Sequence, residues 1–313
     1  ILVYIMKHAP HISIVSPVYR AENIIEKLVY EIMEVMYQLD INYEIILVDD
    51  RSPDNSWKVM QSLSGKYPEV ISVRLSRNFG QHPAIVAGLS LAEGEWIVVM
   101  DCDLQDQPKE IEKLYKKAIE GYDLVLARRE NRQDGFIKKM YSKIFSKVFN
   151  YLADTDFNNE VANFGIYNRK VIASVLTIGD YIKAFPLFIY FTGYNATSVA
   201  VEHADRDSGK SSYSFSKGIS LAFNAIISFS NKPLKIFVKF GMIISFFAFI
   251  GGLVNLIYYL EGSIKVSGYS SLIISIWLLS GIIITVIGVV GIYIGKVFEQ
   301  TKNRPAYIID EII

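Results

Sequence analysis

Two long apolar runs in the last quarter of the sequence constrain its structure more than any other feature. Residues 240–260 and 271–295 contain no side chain that is charged at neutral pH. Each run reaches the roughly 20 apolar residues that span about 30 Å of hydrocarbon. A pair of buried helices in a soluble core is the alternative, but charge-free runs of this length favour a membrane. The sequence therefore predicts a transmembrane hairpin within residues 236–298.

The charges that flank these runs predict their orientation. Basic residues precede the first run and follow the second, at Lys232, Lys235, Lys239, Lys296, Lys302 and Arg304. The connector between the runs has one lysine and one glutamate. Because lysine and arginine collect on the cytoplasmic side of membrane proteins, we expect a multi-pass protein of the cell inner (plasma) membrane. Its N-terminal domain, both termini and a tail at 299–313 are then cytoplasmic.

Charge and cysteine content bear on partners and compartment. The 313 residues include 32 basic and 32 acidic side chains, so no overall positive field favours nucleic acid as a partner. Cys102 is the only cysteine, which rules out an intrachain disulfide and favours a reducing compartment.

Short apolar runs alternate with amphipathic helical patterns over the first 130 residues or so. Strand-like runs are HISIVSPVY, YEIILVDD, VISVRLS, EWIVVMDCD and DLVLARR, and helical patterns separate them. This alternation predicts an α/β domain with a parallel, doubly wound sheet, placed at residues 1–215. Ligands of such sheets bind beyond the carboxyl ends of the strands.

Two amphipathic segments predict contact with the membrane surface. The segment 136–152 places aromatic and aliphatic residues on one face and lysines around it, as an interfacial helix does. A helix packed on the sheet is the alternative, and periodicity alone does not separate the two. The segment 216–235, directly before the first apolar run, is expected to lie along the lipid headgroups.

Polar residues collect where three predicted strands end. The first strand runs into Pro17, Tyr19 and Glu22, the second ends in Asp49 and Asp50, and the fourth ends in Asp101 and Asp103. Carboxyl ends of parallel strands meet at one edge of a sheet, so these side chains are expected in one crevice. Single aspartates elsewhere, such as Asp54, are interpreted as turn or helix-cap residues.

The Asp-x-Asp pattern predicts a divalent cation site. Mg²⁺ or Mn²⁺ takes oxygen ligands, commonly one or two carboxylates together with substrate phosphates. Asp101 and Asp103 are the expected ligands, and Gln105 is placed to orient the ion or the phosphate. An EF-hand is excluded because Asp106 stands where its turn needs glycine. No phosphate-binding glycine motif follows the first strand, which disfavours a P-loop or dinucleotide enzyme.

The order of four segments resembles a known family. VSPVYRAEN, YEIILVDDRSPDNS, LSRNFGQHPAIVAGLSLAEGEWIVVMDCDLQDQPKEI and GYDLVLARRENR are similar to the inverting family 2 glycosyltransferases with a GT-A (nucleotide-diphospho-sugar transferase) fold. The resemblance is to the polyprenyl-phosphate glycosyltransferase branch, which includes dolichyl-phosphate mannose synthase and bacterial undecaprenyl-phosphate glucosyltransferases. It extends over approximately residues 11–235.

The resemblance implies a role for each candidate residue. It places Pro17, Tyr19, Glu22 and Asp49 around the nucleoside, most often uridine, and Asp50 near the ribose or the diphosphate. It assigns the metal and diphosphate to Asp101, Asp103 and Gln105. It assigns the phosphate of the acceptor to Arg129, Arg132, Arg206 and Ser211, and arginine suits that task because its planar fork binds phosphate oxygens in pairs.

The sequence departs from this branch at three positions. Where the branch reads Gly-Asp-Phe-Arg-Leu, this chain reads ANFGI, so Asn163 replaces an aspartate proposed as base and Gly165 replaces an arginine. Ser212 replaces a phosphate-binding lysine. A sugar hydroxyl needs a general base, whereas a phosphate monoester is already largely ionised at neutral pH. The loss of the aspartate is therefore compatible with a phosphate acceptor, and a remodelled acceptor pocket or a hydroxyl acceptor served by a different carboxylate stays open.

These observations predict a membrane-anchored enzyme. It would move one sugar from a nucleotide-diphosphate donor, a UDP-hexose by resemblance, to polyprenyl (undecaprenyl) phosphate at the cytoplasmic face, in cell-surface polysaccharide or lipid-linked sugar metabolism. Transfer to a carbohydrate or glycolipid hydroxyl is one alternative. A non-catalytic membrane scaffold that binds nucleotide sugar or lipid is another. The sequence leaves the sugar and the oligomeric state open, a homo-oligomer included.

Overall fold

The structure is a computed structural model that describes residues 10–129, 147–148, 150–152, 161–178, 185–202, 226, 230–261, 268–302 and 304–313. Contacts divide the described residues into two compact units. The first lies within Ile1–Lys147, Thr155–Ser214 and Arg304–Ile313. The second lies within Val148–Asp154 and Phe215–Asn303.

An eight-stranded mixed sheet organises the first unit, in the order β7-β5-β6-β4-β1-β2-β3-β8. The strands are β1 (Ile12–Val18), β2 (Tyr43–Asp49), β3 (Val70–Leu75), β4 (Trp96–Val99), β5 (Leu124–Arg129), β6 (Val161–Asn168), β7 (Ala196–Val201) and β8 (Ile309–Ile312). Strands β1 to β4 pair in parallel. The sheet is not wholly parallel as predicted, because β6 lies antiparallel between β4 and β5, and β8 is antiparallel to β3.

Helices cover the sheet and complete its core. They are α1 (Ile25–Leu39), α2 (Ser56–Lys66), α3 (Gln81–Leu89), a 3₁₀ turn (Pro108–Glu110), α4 (Ile111–Ala118), α5 (Arg169–Thr177) and α6 (Phe185–Phe191). Helix α1 buries Ile25, Leu28, Val29, Ile32 and Met36 on one face. Strand β1 is buried along its whole length, because helices on both faces of a parallel sheet exclude water. This rigid centre fixes the strand ends that carry the polar residues.

The C-terminal segment adds an edge strand that the sequence analysis did not predict. Strand β8 follows the second apolar run in the chain, yet it pairs with β3 of the first unit. The Ser72 amide donates to the Ile313 carbonyl and the Ile313 amide donates to the Ser72 carbonyl, each at 2.9 Å. The Arg51 guanidinium also contacts the Asp310 carboxylate at 2.7 Å. The segment Ile309–Ile312 is therefore part of the sheet.

Two long helices make up most of the second unit, α7 (Lys232–Leu260) and α8 (Tyr269–Thr301). The Tyr293 hydroxyl of α8 donates to the Ser230 carbonyl at 3.0 Å, just before α7 begins. Within the described residues, one helical stretch, Leu278–Thr301, is long and apolar enough to cross a membrane. The hairpin of two spans stays a prediction.

The two predicted interfacial segments lie largely outside the described residues. In the segment 136–152, residues 147–148 and 150–152 are described and helical. In the segment 216–235, residue 226 and residues 230–235 are described. Their contact with a membrane surface stays a prediction.

Candidate active site

The structure brings the ends of β1, β2 and β4 side by side, as the sequence predicts. Val18 pairs with Asp49 at the end of the β1–β2 ladder, and the Asp50 amide donates to the Val18 carbonyl at 3.0 Å. On the other side of β1, the Met100 amide donates to the Val15 carbonyl at 3.1 Å. Asp101 follows directly, so the three strand ends lie together at one edge of the sheet, where the sequence predicts the crevice.

The turn after β1 is fixed to the loop after β2. Pro17 is buried, whereas the Tyr19 side chain is 45% exposed. The Arg20 guanidinium lies over the Tyr19 ring, 5.4 Å from its centroid. The Arg20 amide donates to the Ser52 hydroxyl at 3.1 Å. Tyr19 is thus an accessible aromatic surface on a well-anchored turn, which suits contact with a ligand.

Glu22 and Asp54 connect the same two loops through hydrogen bonds. A Glu22 carboxylate oxygen accepts from the Asn55 amide at 2.8 Å and from the Asn55 side chain at 3.0 Å. Asp54 accepts from the Ser56 amide at 3.2 Å and from the Ser56 hydroxyl at 2.6 Å. The interpretation of Asp54 as a turn residue is confirmed. The described contacts of Glu22 order the loops, and its part in nucleoside binding stays a prediction.

Asp49 is fully buried beneath the crevice. One of its oxygens accepts from the Ser52 amide at 2.9 Å, and the other lies 3.4 Å from Arg74 Nε. The Arg74 guanidinium also stacks over Trp57, 5.4 Å from the ring centroid. The sequence analysis missed Arg74, although an arginine within the apolar strand VISVRL is a visible signal. Arg74 neutralises the carboxylate where the sequence predicts the nucleoside.

Asp50 holds the loop that leads into α3. Its two carboxylate oxygens accept from the Phe79 amide at 2.7 Å and from the Gly80 amide at 2.9 Å. The Asn78 side chain donates to the Asp50 carbonyl at 3.2 Å. Burial raises the pKa of Asp50 above its ordinary value, while the two backbone amides act in the opposite direction. These bonds order the loop, and the contact of Asp50 with the ribose or diphosphate stays a prediction.

Asp101 lies in a partly buried position among polar partners. Gln81 Nε2 donates to Asp101 Oδ1 at 2.7 Å. Burial, and to a smaller extent the nearby Asp106 and Asp103, together raise the pKa of Asp101 to about 6. Hydrogen bonds from the side chains of Gln81 and Asn163 lower that pKa. The carboxylate therefore gains from any positive charge brought into the crevice.

The donor groups around Asp101 suit a hard divalent cation. Asp103 follows two positions later and accepts from the Gln105 amide at 3.2 Å across a turn in which Leu104 has φ 57°. The described residues contain no group of three or more histidine, cysteine or acidic side chains that could hold a metal. The carboxylates of Asp101 and Asp103 and the side-chain amide of Gln105 all offer oxygen atoms as ligands. Such a set matches an ion that takes its other ligands from substrate phosphates. Mg²⁺ or Mn²⁺ therefore fits the residues present.

The predicted acceptor residues are only partly described. Arg129 is the last residue of β5 and pairs with Val201 of β7. Arg132, Arg206, Ser211 and Ser212 lie outside the described residues. Their convergence around a phosphate stays a prediction.

Comparisons with known proteins agree with this arrangement. The pattern of the family described as Glycosyl transferase family 2 matches residues 13–176. An uncharacterized glycosyltransferase of Bacillus subtilis, YkcC, is 34% identical over 300 residues, which cover 96% of this chain and 93% of that protein. The undecaprenyl-phosphate 4-deoxy-4-formamido-L-arabinose transferase of Proteus mirabilis is 31% identical over 305 residues, covering 96% of this chain and 94% of that protein.

A solved structure shares the fold. Mannosyltransferase PcManGT from Pyrobaculum calidifontis, in complex with GDP-Man and Mn²⁺, is similar with a TM-score of 0.50 and 16% sequence identity. The match covers 73% of this chain and 65% of that chain, just under two thirds of the latter. The mixed α/β sheet of the first unit is thus of the GT-A type.

Proposed function

The chain belongs to glycosyl transferase family 2, and we propose that it transfers one sugar from a UDP-sugar to polyprenyl phosphate. The proposal takes its acceptor from relatives such as the undecaprenyl-phosphate transferase of Proteus mirabilis, which aligns with 96% of this chain at 31% identity. The reaction would invert the configuration at the anomeric carbon, since the attacking phosphate and the departing UDP lie on opposite faces of the sugar.

The observation that carries the donor half of the proposal is the position of Asp101 and Asp103 beside the ends of β1 and β2. Tyr19 presents an exposed ring at this crevice, and Asp49 lies beneath it with Arg74. A nucleoside on this side would direct its diphosphate towards Asp101 and Asp103. A divalent cation held by Asp101, Asp103 and Gln105 would neutralise the charge on the departing diphosphate.

The acceptor half is compatible with Asn163. This residue hydrogen-bonds to Asp101, and its amide has no basic site that could remove a proton from a sugar hydroxyl. A phosphate monoester needs no such base, because its second pKa lies near 6 and it is largely ionised at neutral pH. Its binding needs positive charge instead, which we assign to Arg129, Arg132 and Arg206 together with the Ser211 hydroxyl.

Exposed apolar side chains on α7 and α8 support membrane anchoring. Phe246, Phe247, Ile284 and Ile287 are each more than 60% exposed within the structure. Soluble proteins rarely expose such a large continuous apolar surface. We propose that both helices span the inner membrane, with the catalytic unit on the cytoplasmic side where nucleotide sugars are made.

The test is mass spectrometry of the lipid after reaction. The protein, purified in detergent, is incubated with undecaprenyl phosphate, Mn²⁺ and a panel of UDP-hexoses and UDP-N-acetylhexosamines. A glycosyl-phosphoryl-undecaprenol is the expected product and identifies the sugar. UDP release with unmodified lipid would reject the acceptor and direct attention to hydroxyl acceptors, whereas no UDP release with any donor would reject the donor class.

A matched pair of variants separates an enzyme from a binding protein. Asp103→Asn removes a carboxylate from the crevice and is expected to reduce UDP release at least 100-fold, in line with losses on removing one group that stabilises developing charge. Asp40→Asn is the control, because Asp40 is an exposed residue at the end of α1. Asparagine also tolerates the left-handed backbone of Asp40 (φ 53°).

A further inference from the structure

The backbone position of Gln81 is fixed by contacts outside α3. Gln81 is the first residue of α3 and follows Gly80, whose amide donates to Asp50 at 2.9 Å. The Phe79 amide donates to the other Asp50 oxygen at 2.7 Å. The end of β2 thus sets the start of α3. From that position Gln81 Nε2 reaches Asp101 Oδ1 at 2.7 Å.

The second partner of Asp101 comes from β6. In the antiparallel β4–β6 ladder, Val99 pairs with Gly165. Two residues further along β4 is Asp101, and two residues back along β6 is Asn163, so the register brings the two residues level with each other. A hydrogen bond from the Asn163 side chain to Asp101 agrees with that register. Asp101 is therefore held from two different elements.

Both partners are neutral amides, and this matters for a cation site. A lysine or arginine in their place would hold the carboxylate but would repel a cation. An aspartate in place of Asn163 would set a second negative charge against Asp101 and could donate no hydrogen bond when ionised. A neutral donor fixes the orientation of a metal-binding carboxylate and leaves its charge available to the ion.

We infer that Gln81 and Asn163 are positioning residues that hold the Asp101 carboxylate in place for a divalent cation. The inference rests on the proposed function, since it takes Asp101 to be a ligand of that cation. It gives Asn163 a different task from the base that the family resemblance suggests for its position. Neither amide acts on the substrate directly, and each acts through Asp101.

The test measures Mn²⁺ binding to the full chain in detergent, without donor or acceptor. Electron paramagnetic resonance detects the free Mn²⁺ and so gives the bound fraction. Gln81→Leu and Asn163→Leu remove one amide each and keep a similar side-chain size. Each is expected to raise the Mn²⁺ dissociation constant about 10-fold to 100-fold, the loss that follows removal of a partner of a metal ligand. Gln61→Leu, in α2, is the matched control and should leave the constant unchanged.

Two further readouts separate positioning from general damage. The metal-free unfolding temperature of Gln81→Leu should stay close to that of the unaltered protein. UDP release by Gln81→Leu should recover as Mn²⁺ is raised to saturation, which a misfolded protein would not do. Mn²⁺ affinity within twofold of the unaltered protein for both variants, while Asp101→Ala abolishes binding, would overturn the inference and leave the proposed function standing.

The remaining outcome concerns the metal assignment itself. If Asp101→Ala binds Mn²⁺ as tightly as the unaltered protein, Asp101 is not a ligand. That result overturns the inference together with the donor half of the proposed function. A lack of sugar transfer to undecaprenyl phosphate, by contrast, leaves the Mn²⁺ measurements valid, because they need neither substrate.

Discussion

The hydroxyl oxygen of Tyr167 lies 2.8 Å from the position that a Cβ atom on Gly165 would occupy. The Val125 carbonyl lies 3.0 Å from the same position. Tyr167 is 1% exposed and packs edge-on against Phe185, with ring centroids 5.3 Å apart. Position 165 therefore has no room for the arginine that the resemblance predicts. A phosphate-binding group, if one is needed here, must come from elsewhere in the chain.

Gly165→Ala is expected to destabilise the protein by about 1–3 kcal/mol, because an added methyl group in a packed core forces its neighbours to move. Chemical denaturation of the purified protein measures the change. Gly65→Ala is the control, since nothing lies within 4 Å of a Cβ at that helical glycine. Alanine there should be neutral or stabilising by up to about 1 kcal/mol.

The same substitution in a Tyr167→Phe background tests which contact is responsible. Phenylalanine removes the hydroxyl that lies closest to position 165 and keeps the ring. The cost of Gly165→Ala should then fall, though not to zero, because the Val125 carbonyl remains. An equal cost in both backgrounds would show that the Tyr167 hydroxyl is not the obstacle.

Asp50→Asn is expected to destabilise the protein by about 1–3 kcal/mol. Each Asp50 oxygen accepts one backbone hydrogen bond, and asparagine offers only one oxygen, so one buried amide loses its acceptor. Denaturation of Asp50→Asn and of the surface control Asp40→Asn gives the comparison. Equal stability of Asp50→Asn and the unaltered protein would mean that the loop from Asn78 to Gly80 does not depend on this carboxylate.

Stability of the metal-free protein should fall as pH rises through about 6, because partial burial and the neighbouring carboxylates Asp106 and Asp103 raise the pKa of Asp101 to about 6. A carboxyl group with a raised pKa favours folding most below its unfolded pKa, near 4, and that contribution is lost as pH rises through the folded value. A shift of about two units corresponds to roughly 3 kcal/mol. Asp101→Asn should therefore stabilise the protein at pH 8 and lose that advantage near pH 4, in unfolding measured with chelator present.

Asp123→Asn is the comparison for that experiment, because its effect on stability should depend on pH in the opposite direction. A hydrogen bond from Lys170 lowers the pKa of Asp123, so this carboxylate favours folding above its unfolded pKa and loses that contribution as pH falls. Its substitution should reduce stability at neutral pH, by a small amount because the pair is exposed. If Asp101→Asn instead showed the same pH dependence as Asp123→Asn, the buried state of Asp101 would be refuted.

Removal of residues 308–313 should lower the unfolding temperature and promote aggregation. The deletion removes β8 and leaves the edge of β3 unpaired, and an unpaired edge strand is a template for intermolecular pairing. Asp310→Ala is the control, because its exposed ion pair with Arg51 is worth about 0–1 kcal/mol. Equal behaviour of the deletion and the point variant would indicate that backbone pairing contributes little.

Part of the fold can be predicted from the sequence, because a buried strand or helix face leaves a pattern of apolar residues within its own segment. Strands β1 and β2 are mostly apolar and are buried almost throughout, so their apolar residues indicate them directly. Helix α1 repeats apolar residues on one face, which its burial confirms. The convergence of Asp49 with Asp101 also follows, since parallel strands share a carboxyl edge.

Other parts depend on pairing between distant segments. The sequence IDEI of β8 carries two acids and is mostly exposed, because an edge strand has only one neighbour. Strand β6 lies between β4 and β5 and is antiparallel to both, and no pattern in its own sequence indicates this position or direction. The backbone amides that donate to Asp50 lie 29 and 30 positions further along the chain. These contacts could therefore not be inferred from the position of Asp50 next to Asp49 at the end of a strand.

The place of β8 also sets an order of events during synthesis of the protein. The ribosome makes β1 to β7 first, then α7 and α8, and only afterwards the strand that pairs with β3. Until then β3 is an open edge of the sheet while the two long apolar helices are being made. Addition of the last strand to the sheet therefore waits for the apolar helices to be made, and a chain that stalls within them would expose an incomplete sheet to chaperones and proteases.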